Sequence, residues 1–336
     1  MAHRGPAHPS TWLTVRPEGL YCEPGGFFID PHRAVERAVV THGHSDHARP
    51  GHAAVLATAE TLAIMRARKA APASGRALRY GETLAVGGVS VTLQPAGHVL
   101  GSAQIVLEHG GSRAVISGDY KRRADPTCAG FVPVPCDVFV TEATFALPVF
   151  RHPPPAAEIA RLLGSLALFP DRRHVVACYA LGKAQHLIAL LRQGGWDGPI
   201  FLHRALQPLC ELYGEFGVEL GALRTIADLG LEGPGGIVLA PPAALDERWV
   251  RELGEPVLCA ASGWLRLRKR ALQSGAELPL IISDHADWNE LLATAHDVGA
   301  PEIWVTHGRE DALIHALGQR GIRGHALRLL GRGEEA

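Results

Sequence analysis

The sequence predicts a mixed α/β protein, on three observations. Its 38 glycines and 24 prolines cut 336 residues into short runs. The apolar runs are brief and rich in β-branched or aromatic residues, as strands require. They alternate with stretches whose apolar residues recur at i, i+3 and i+4, the spacing of a helix that buries one face. At roughly 150 residues per domain this length accommodates one or two cores. Hydrophobic residues at 47% and charged residues at 20% suit a packed chain and exclude disorder. Lys+Arg 33 against Asp+Glu 34, a net charge of -1, excludes a uniformly basic nucleic-acid coat.

In chain order, strands are expected at 11–15, 26–29, 38–41, 54–58, 89–93, 103–107 and 114–117, then at 137–141, 174–178, 199–202, 236–240, 256–260, 280–283 and 302–306. Helices are expected at 60–68, 157–169, 183–191, 206–216, 245–253, 287–298 and 311–317. The first part is strand-dense and the middle alternates. Arg151-His152-Pro153-Pro154-Pro155 breaks both periodicities and marks a boundary. A second change of texture falls at 262–275, where the basic run Trp264-Leu265-Arg266-Leu267-Arg268-Lys269-Arg270 interrupts the apolar rhythm. Residues 151–270 therefore read as an insert within a domain made of 1–150 and 271–336.

Six cysteines are scattered without a C-x-x-C pair, which indicates neither a disulfide framework nor a cysteine zinc site. No apolar run approaches the ~18 residues of a membrane span. Residues 1–9 are polar and proline-bearing, unlike a signal segment, so a cytoplasmic location is expected. Histidine is the anomaly: 18 of them outnumber the 9 phenylalanines and 5 tyrosines together.

Six apolar runs end in an ionisable residue: Asp30, His42, Asp119, Glu142, the Asp284-His285 pair and His307. Strands fix positions rigidly and the loops leaving their carboxyl ends present side chains, so such endings gather at sites. The densest is His42-Gly43-His44-Ser45-Asp46-His47. In an extended segment residues i and i+2 point the same way, so His42 and His44 can grip one metal ion while the following turn aims Asp46 and His47 at a second. His98, alone, reads equally as a ligand or a structural histidine. Asp119 follows a strand-ending glycine and is free to bridge two ions. Imidazoles and carboxylates without thiolate suit zinc, manganese or iron. Two ions about 3.5–4 Å apart can clamp an in-line displacement at phosphorus, which implies hydrolysis.

The run from His42 to His47 resembles the H-x-H-x-D-H signature of the metallo-β-lactamase fold, with Asp30, His98, Asp119 and His307 following its other motifs in order. The resemblance implies an αββα sandwich and two divalent ions. One takes His42, His44, His98 and Asp119; the other takes Asp46, His47, Asp119 and His307; Asp30 orders the ligand loop from behind. Glu142 in Thr141-Glu142-Ala143-Thr144-Phe145, the run Ala180-Leu181-Gly182-Lys183-Ala184-Gln185 and Ser283-Asp284-His285-Ala286-Asp287 resemble the β-CASP nuclease branch, in which an inserted α/β domain roofs the metals. Without that resemblance Glu142 reads as a strand-end charge facing water. With it, Glu142 and His285 form a pair in which the carboxylate holds the imidazole to donate a hydrogen bond or proton at the scissile phosphate or leaving oxygen. Across nearly the whole chain, segments such as Gly118-Asp119-Tyr120-Lys121, Asp125-Pro126-Thr127-Cys128 and Ser262-Gly263-Trp264 are similar to the bacterial ligase-associated DNA exonucleases. That group implies trimming of single-stranded or 3′ DNA ends in repair, in association with an ATP-dependent DNA ligase and a helicase. Gly43 departs from the alanine expected there.

The expected catalytic residues are thus His285, Glu142 and Asp46. Near-neutral net charge does not oppose a DNA partner, because affinity depends on local phosphate contacts. Lys121, Arg122 and Arg123 follow Asp119, and Arg266, Arg268, Lys269 and Arg270 precede His285, so these are expected phosphate contacts. Trp264 reads equally as a stacking platform for an unpaired base or as core, and Lys183 as a phosphate contact or a helix cap. Three rival readings remain: a β-CASP-type RNase, separable by matched DNA and RNA strands; a small-molecule hydrolase, which the insert and basic runs oppose; and a noncatalytic nucleic-acid-binding subunit, which the filled ligand positions oppose.

Overall fold

A computed structural model describes residues 6–231 and 235–327; of the polar stretch 1–9, residues 1–5 lie outside them. The chain divides into two units, one of residues 1–148 and 285–336, the other of 149–284.

The first unit contains two sheets. One has the order β1 (Leu13–Arg16), β2 (Gly19–Cys22), β3 (Phe27–Ile29), β4 (Arg37–Val39), β5 (Ala54–Ala57) and β6 (Ser74–Ala77), with α1 (Ala59–Ala67) between its last two strands in sequence. The other runs from β7 (Thr83–Val86) through β8 (Val89–Pro95), β9 (Ala103–His109), β10 (Ser112–Ile116) and β11 (Val138–Ala143) to two late strands, Glu302–Gly308 and Arg323–Ala326, called β18 and β19 below. Alternation along the strands builds three apolar layers. Val39 and Leu56 of the first sheet meet Ile105, Leu107, Ile116, Val138, Val140 and Trp304 of the second in one central cluster. The opposite faces carry Ala38, Val55 and Ala57 against Leu62 and Met65 of α1. On the far side Val106, Val115, Phe139, Ile303 and Val305 pack on Trp288, Leu291, Leu313 and Leu317, from the helices Trp288–Asp297 and Glu310–Gly318. Helix, sheet, sheet, helix is the resulting order of layers.

The second unit is a separate parallel sheet of six strands, in the order β14 (Leu223–Thr225), β13 (Ile200–Leu202), β15 (Ile237–Ala240), β12 (His174–Ala177), β16 (Val257–Ala261), β17 (Leu278–Leu280). Its helices are α2 (Pro155–Leu168), α3 (Lys183–Gln193), α4 (Gln207–Glu215), α5 (Arg248–Glu252) and α6 (Arg268–Gln273), so that the helices Trp288–Asp297 and Glu310–Gly318 are α7 and α8. Ala261 of β16 pairs with Leu280 of β17, which carries this unit to Asp284 rather than to the residue 270 read from the basic run.

All fourteen expected strands have a counterpart, offset by a few residues. Among the described residues five strands escaped the pattern. β6 is exposed at every position, so no buried face imposes alternation, and β7, β14 and β19 lie at sheet edges. β2 is only four residues long and opens on Gly19, at φ +142°. α6 buries none of its residues and read only as a charge run.

Candidate metal centre

β8 is antiparallel to β9 and β9 to β10, while β10, β11 and β18 are mutually parallel. β8, β10, β11 and β18 therefore point one way, and the loops that follow them leave one edge of their sheet. His98, Asp119, Glu142 and His307 lie on those exits.

The histidine loop is organised from beneath. Asp30, buried and at φ +42°, follows β3. Its Oδ1 accepts from the Thr41 amide at 2.8 Å and its Oδ2 from Thr41 Oγ1 at 2.6 Å. Oδ2 also sits 2.7 Å from His47 Nδ1, leaving the other ring nitrogen of His47 to face the cluster. Thr41 Oγ1 lies 3.0 Å from His42 Nδ1 and orients that ring in the same way. Gly118 is at φ +56°, and a Cβ there would lie 2.7 Å from Thr41, so glycine permits the Asp119 loop to approach. Ser102 Oγ accepts from the amides of His98 at 3.0 Å and Val99 at 3.2 Å, fixing the remaining loop.

The side chains converge on Asp119. His42 Nε2 and His98 Nε2 each lie 3.0 Å from His44 Nδ1. Asp119 Oδ2 is 3.4 Å from His42 Nε2, 3.3 Å from His47 Nε2 and 3.8 Å from His98 Nε2. Ligand atoms of His42, His44, His98 and Asp119 all fall within 4.8 Å of one another, and so do those of His47, Asp119 and His307. Asp46 Oδ2 stands 3.3 Å from His47 Nε2. The His307 ring centroid is 5.3 Å from that of His47, on a backbone at φ +57° where β18 bulges against β11.

The donor set fits divalent cations. His47 Nε2 and Asp46 Oδ1 are buried without a hydrogen-bond partner, a costly state that a cation among these ligands relieves. Burial and the neighbouring histidines hold His98 well below the ordinary imidazole range, the neutral form that binds metal. Burial opposes charge on Asp119 and Asp46 as well, yet the His47 imidazolium outweighs it and both carboxyls are lowered. His47 is raised against its own burial by Asp119, Asp46 and Asp30. Nothing in the ligand types separates zinc from manganese or iron.

Beside this cluster Glu142, buried at the end of β11, meets His285: Nδ1 is 2.9 Å from Oε2 and 3.2 Å from Oε1. Oε1 also accepts from the Tyr120 amide at 2.8 Å. The His285 ring centroid lies 4.7 Å from that of His98. The expected residues Asp30, His42, His44, Asp46, His47, His98, Asp119, Glu142, His285 and His307 are thus gathered in one unit. Sequence reasoning passed over Thr41, Ser102 and Tyr120, which act through a hydroxyl or a backbone amide and leave no pattern of titratable residues.

The expected phosphate contacts divide. Lys121 is buried with Nζ 2.6 Å from Asp125 Oδ2, and Arg122 pairs with Asp297 at 2.6 Å. Lys183 is buried in the second unit, 2.9 Å from Asp284 Oδ2 and 2.8 Å from the Ile282 carbonyl. These corrections share one cause: the charges answer carboxylates inside their own unit, so Lys121 and Lys183 are withheld from a polymer. Arg266, Arg268, Lys269 and Arg270 are exposed in the second unit. Trp264, half-buried, meets Phe150 edge-on at 5.3 Å, with the Arg270 guanidinium 5.9 Å from its ring.

No family model matches the chain. The chain is 30% identical over 324 residues to a "Probable DNA ligase" of Opitutus terrae, a match that covers 94% of this chain and 31% of that protein. It is 32% identical over 118 residues to "Cleavage and polyadenylation specificity factor subunit 3" of Dictyostelium discoideum, covering 34% of this chain and 15% of that one. It is 23% identical over 295 residues to "Endoribonuclease YSH1" of Eremothecium gossypii, covering 70% of this chain and 38% of that one. The fold is of the metallo-β-lactamase type. Similarity to the cleavage-factor and endoribonuclease chains supports the β-CASP branch of that family. The chain spans under two fifths of the length of each of these curated relatives. A solved Enterococcus faecalis V583 protein of unknown function has the same fold, at TM-score 0.58 and 13% identity over 90% of this chain and 83% of that one. Among the described residues no helix is long and apolar enough to cross a membrane.

Two expected results concern the loop around this candidate centre. Asp30→Asn keeps the shape but loses the charge behind His47, and metal affinity measured by titration calorimetry is expected to fall about 10- to 100-fold; unchanged affinity removes Asp30 from the centre. Gly43, where alanine was expected, faces Ile64: a Cβ there would lie 2.4 Å from Ile64 Cγ2 and 2.9 Å from its Cβ. Gly43→Ala should cost about 1–3 kcal/mol by overpacking, read in denaturant unfolding, and should couple to Ile64→Ala in a double-mutant cycle. Additive effects of the two changes would contradict the steric account.

Proposed function

We infer that the chain is a two-metal DNA phosphodiesterase that trims single-stranded or 3′ ends in repair. The single observation that carries the reading is the convergence of two ligand groups on Asp119, with the Glu142–His285 pair beside them. His42, His44, His98 and Asp119 would hold one ion, and Asp46, His47, Asp119 and His307 the other. Divalent ions so held supply an activated water near neutral pH and offset charge on the phosphoryl oxygens.

The residues of the chain do the rest. Asp30 and Thr41 hold the imidazoles in the ligating orientation. Glu142 holds His285 through Nδ1, which leaves Nε2 to donate to the leaving oxygen. The exposed cations Arg266, Arg268, Lys269 and Arg270 suit phosphates on an incoming strand, with Trp264 as a stacking surface.

DNA is preferred as substrate because the match covering 94% of this chain is to a protein named as a probable DNA ligase, which favours functional association with ligation; a helicase partner rests on the resemblance to the ligase-associated exonucleases alone. RNA is the second reading, favoured by relatives named endoribonucleases. Matched end-labelled DNA and RNA strands, with zinc, manganese and iron supplied in turn, separate the two: preferential RNA cutting reverses the choice, and inactivity on both rejects a nuclease. A soluble cytoplasmic enzyme is the setting this reading expects.

A further inference from the structure

The pair that would donate the proton sits in a closed ring of hydrogen bonds. Tyr120, next to Asp119, gives its amide to Glu142 Oε1 at 2.8 Å, and Glu142 Oε2 lies 2.9 Å from His285 Nδ1. His285 leads to Ala286, whose amide returns to the Tyr120 carbonyl at 2.7 Å. The loop that follows β10 thus carries both the aspartate shared by the two ligand groups and the backbone on which His285 rests. The Ala286 amide and the Glu142 carboxylate hold one side of the 285–287 segment; its far side is held separately.

Arg123 holds it. Its Nη2 lies 2.7 Å from Asp287 Oδ2 and its Nε 3.2 Å from Glu290 Oε1. Asp287 is buried and caps α7: Oδ1 accepts from the amides of Asn289 at 2.9 Å and Glu290 at 3.1 Å, while Glu290 Oε2 accepts from the Asp287 amide at 3.0 Å. Both oxygens of Asp287 are therefore committed, one to the helix and one to Arg123. Burial raises the Glu290 carboxyl above its usual range even with Arg123 beside it. Without the guanidinium, two carboxylates would face each other with little water between them, and the cap would have reason to turn outward. Arg122, the preceding residue, grips Asp297 at the other end of α7 at 2.6 Å.

We propose that Arg123 is a positioning residue that locks the 285–287 segment to the Asp119 loop, so that the proton donor and the metal ligands move as one body. The proposal rests on the nuclease reading for its kinetic consequence but not for its structural one. A guanidinium suits the task because one rigid fork reaches two carboxylates at once, which the single ammonium of lysine does not. The competing role is a phosphate contact, since a basic run beside a candidate metal ligand invites it.

The test uses full-length protein carrying Arg123→Ala or Arg123→Lys. With DNA strands and saturating metal, Arg123→Ala is expected to lower kcat about 10- to 100-fold by misplacing His285, with KM within about twofold and the salt dependence unchanged. Arg123→Lys should recover part of kcat, and metal content should stay at the wild-type value in both. A phosphate contact gives the opposite split: KM rises, kcat holds, and the salt slope falls by about one. That result, or wild-type kcat in Arg123→Ala, overturns the proposal. Amide hydrogen exchange of 285–290 is read on the same proteins: lost protection in Arg123→Ala with partial recovery in Arg123→Lys supports the lock, and unchanged protection rejects it. Because exchange needs no substrate, it decides the matter even if the wild-type protein cuts neither DNA nor RNA, an outcome that would reject the nuclease reading alone.

Discussion

Asp119→Ala is expected to lower phosphodiester hydrolysis about a thousandfold or more and to reduce the bound metal below the wild-type stoichiometry. Asp119 Oδ2 is within 3.8 Å of three imidazole nitrogens, and the residue belongs to both ligand groups. Its loss removes the one carboxylate that neutralises both sides of the cluster. Charge stabilisation of this kind contributes several kcal/mol to a phosphoryl transition state, and about 4 kcal/mol corresponds to roughly a thousandfold in rate. The measurements are single-turnover cleavage, metal content by mass spectrometry and a thermal melt. Cleavage within tenfold of wild type, with a normal melt, would remove Asp119 from the centre. The same fall with metal content intact would move its role from holding ions to another step.

The two ends of the chain were legible in proportion to how strictly burial constrains them. In β9, β10 and β11 successive residues alternate between the central layer and the α7–α8 layer, and all three strands were anticipated near their observed positions. The ligand loop was legible because chemistry compresses four donors into six residues. Glu142 and His285, 143 positions apart, were brought together only by resemblance, and the 2.9 Å contact supplies the physical reason they belong together. Charged residues were the weak point. A run such as Lys121-Arg122-Arg123 shows its charge but not its partners, and here Asp125, Asp297, Asp287 and Glu290 answer it from 4 to 175 residues away. A similarly basic run supplies Arg266, Arg268, Lys269 and Arg270, which stay exposed. What separates the two is whether distant carboxylates return to meet the cations, and a linear pattern does not record that.

The second large effect is expected at His285, and the leaving group is the means of reading it. His285→Ala should lower kcat on DNA about 10²- to 10⁴-fold, the range of a general acid. Glu142→Gln retains an oxygen for the Tyr120 amide but withdraws the carboxylate charge beside His285 Nδ1, so it should cost kcat as well, with KM little changed. The two residues work as a unit, and the double variant is expected to be no worse than His285→Ala alone. The deciding comparison replaces the nucleoside leaving group by p-nitrophenolate. A deoxyribose alkoxide is a poor leaving group and needs a proton as the P–O bond breaks, whereas p-nitrophenolate departs unaided. On a thymidine p-nitrophenyl phosphodiester the loss in His285→Ala should therefore shrink to about tenfold or less, while Asp119→Ala should stay severely impaired, because charge on the phosphoryl oxygens builds with either leaving group. Equal losses for His285→Ala on both substrates would mean that the histidine acts on the phosphoryl oxygens rather than on the departing one. In that case Glu142 would be holding a cation in place, not a proton.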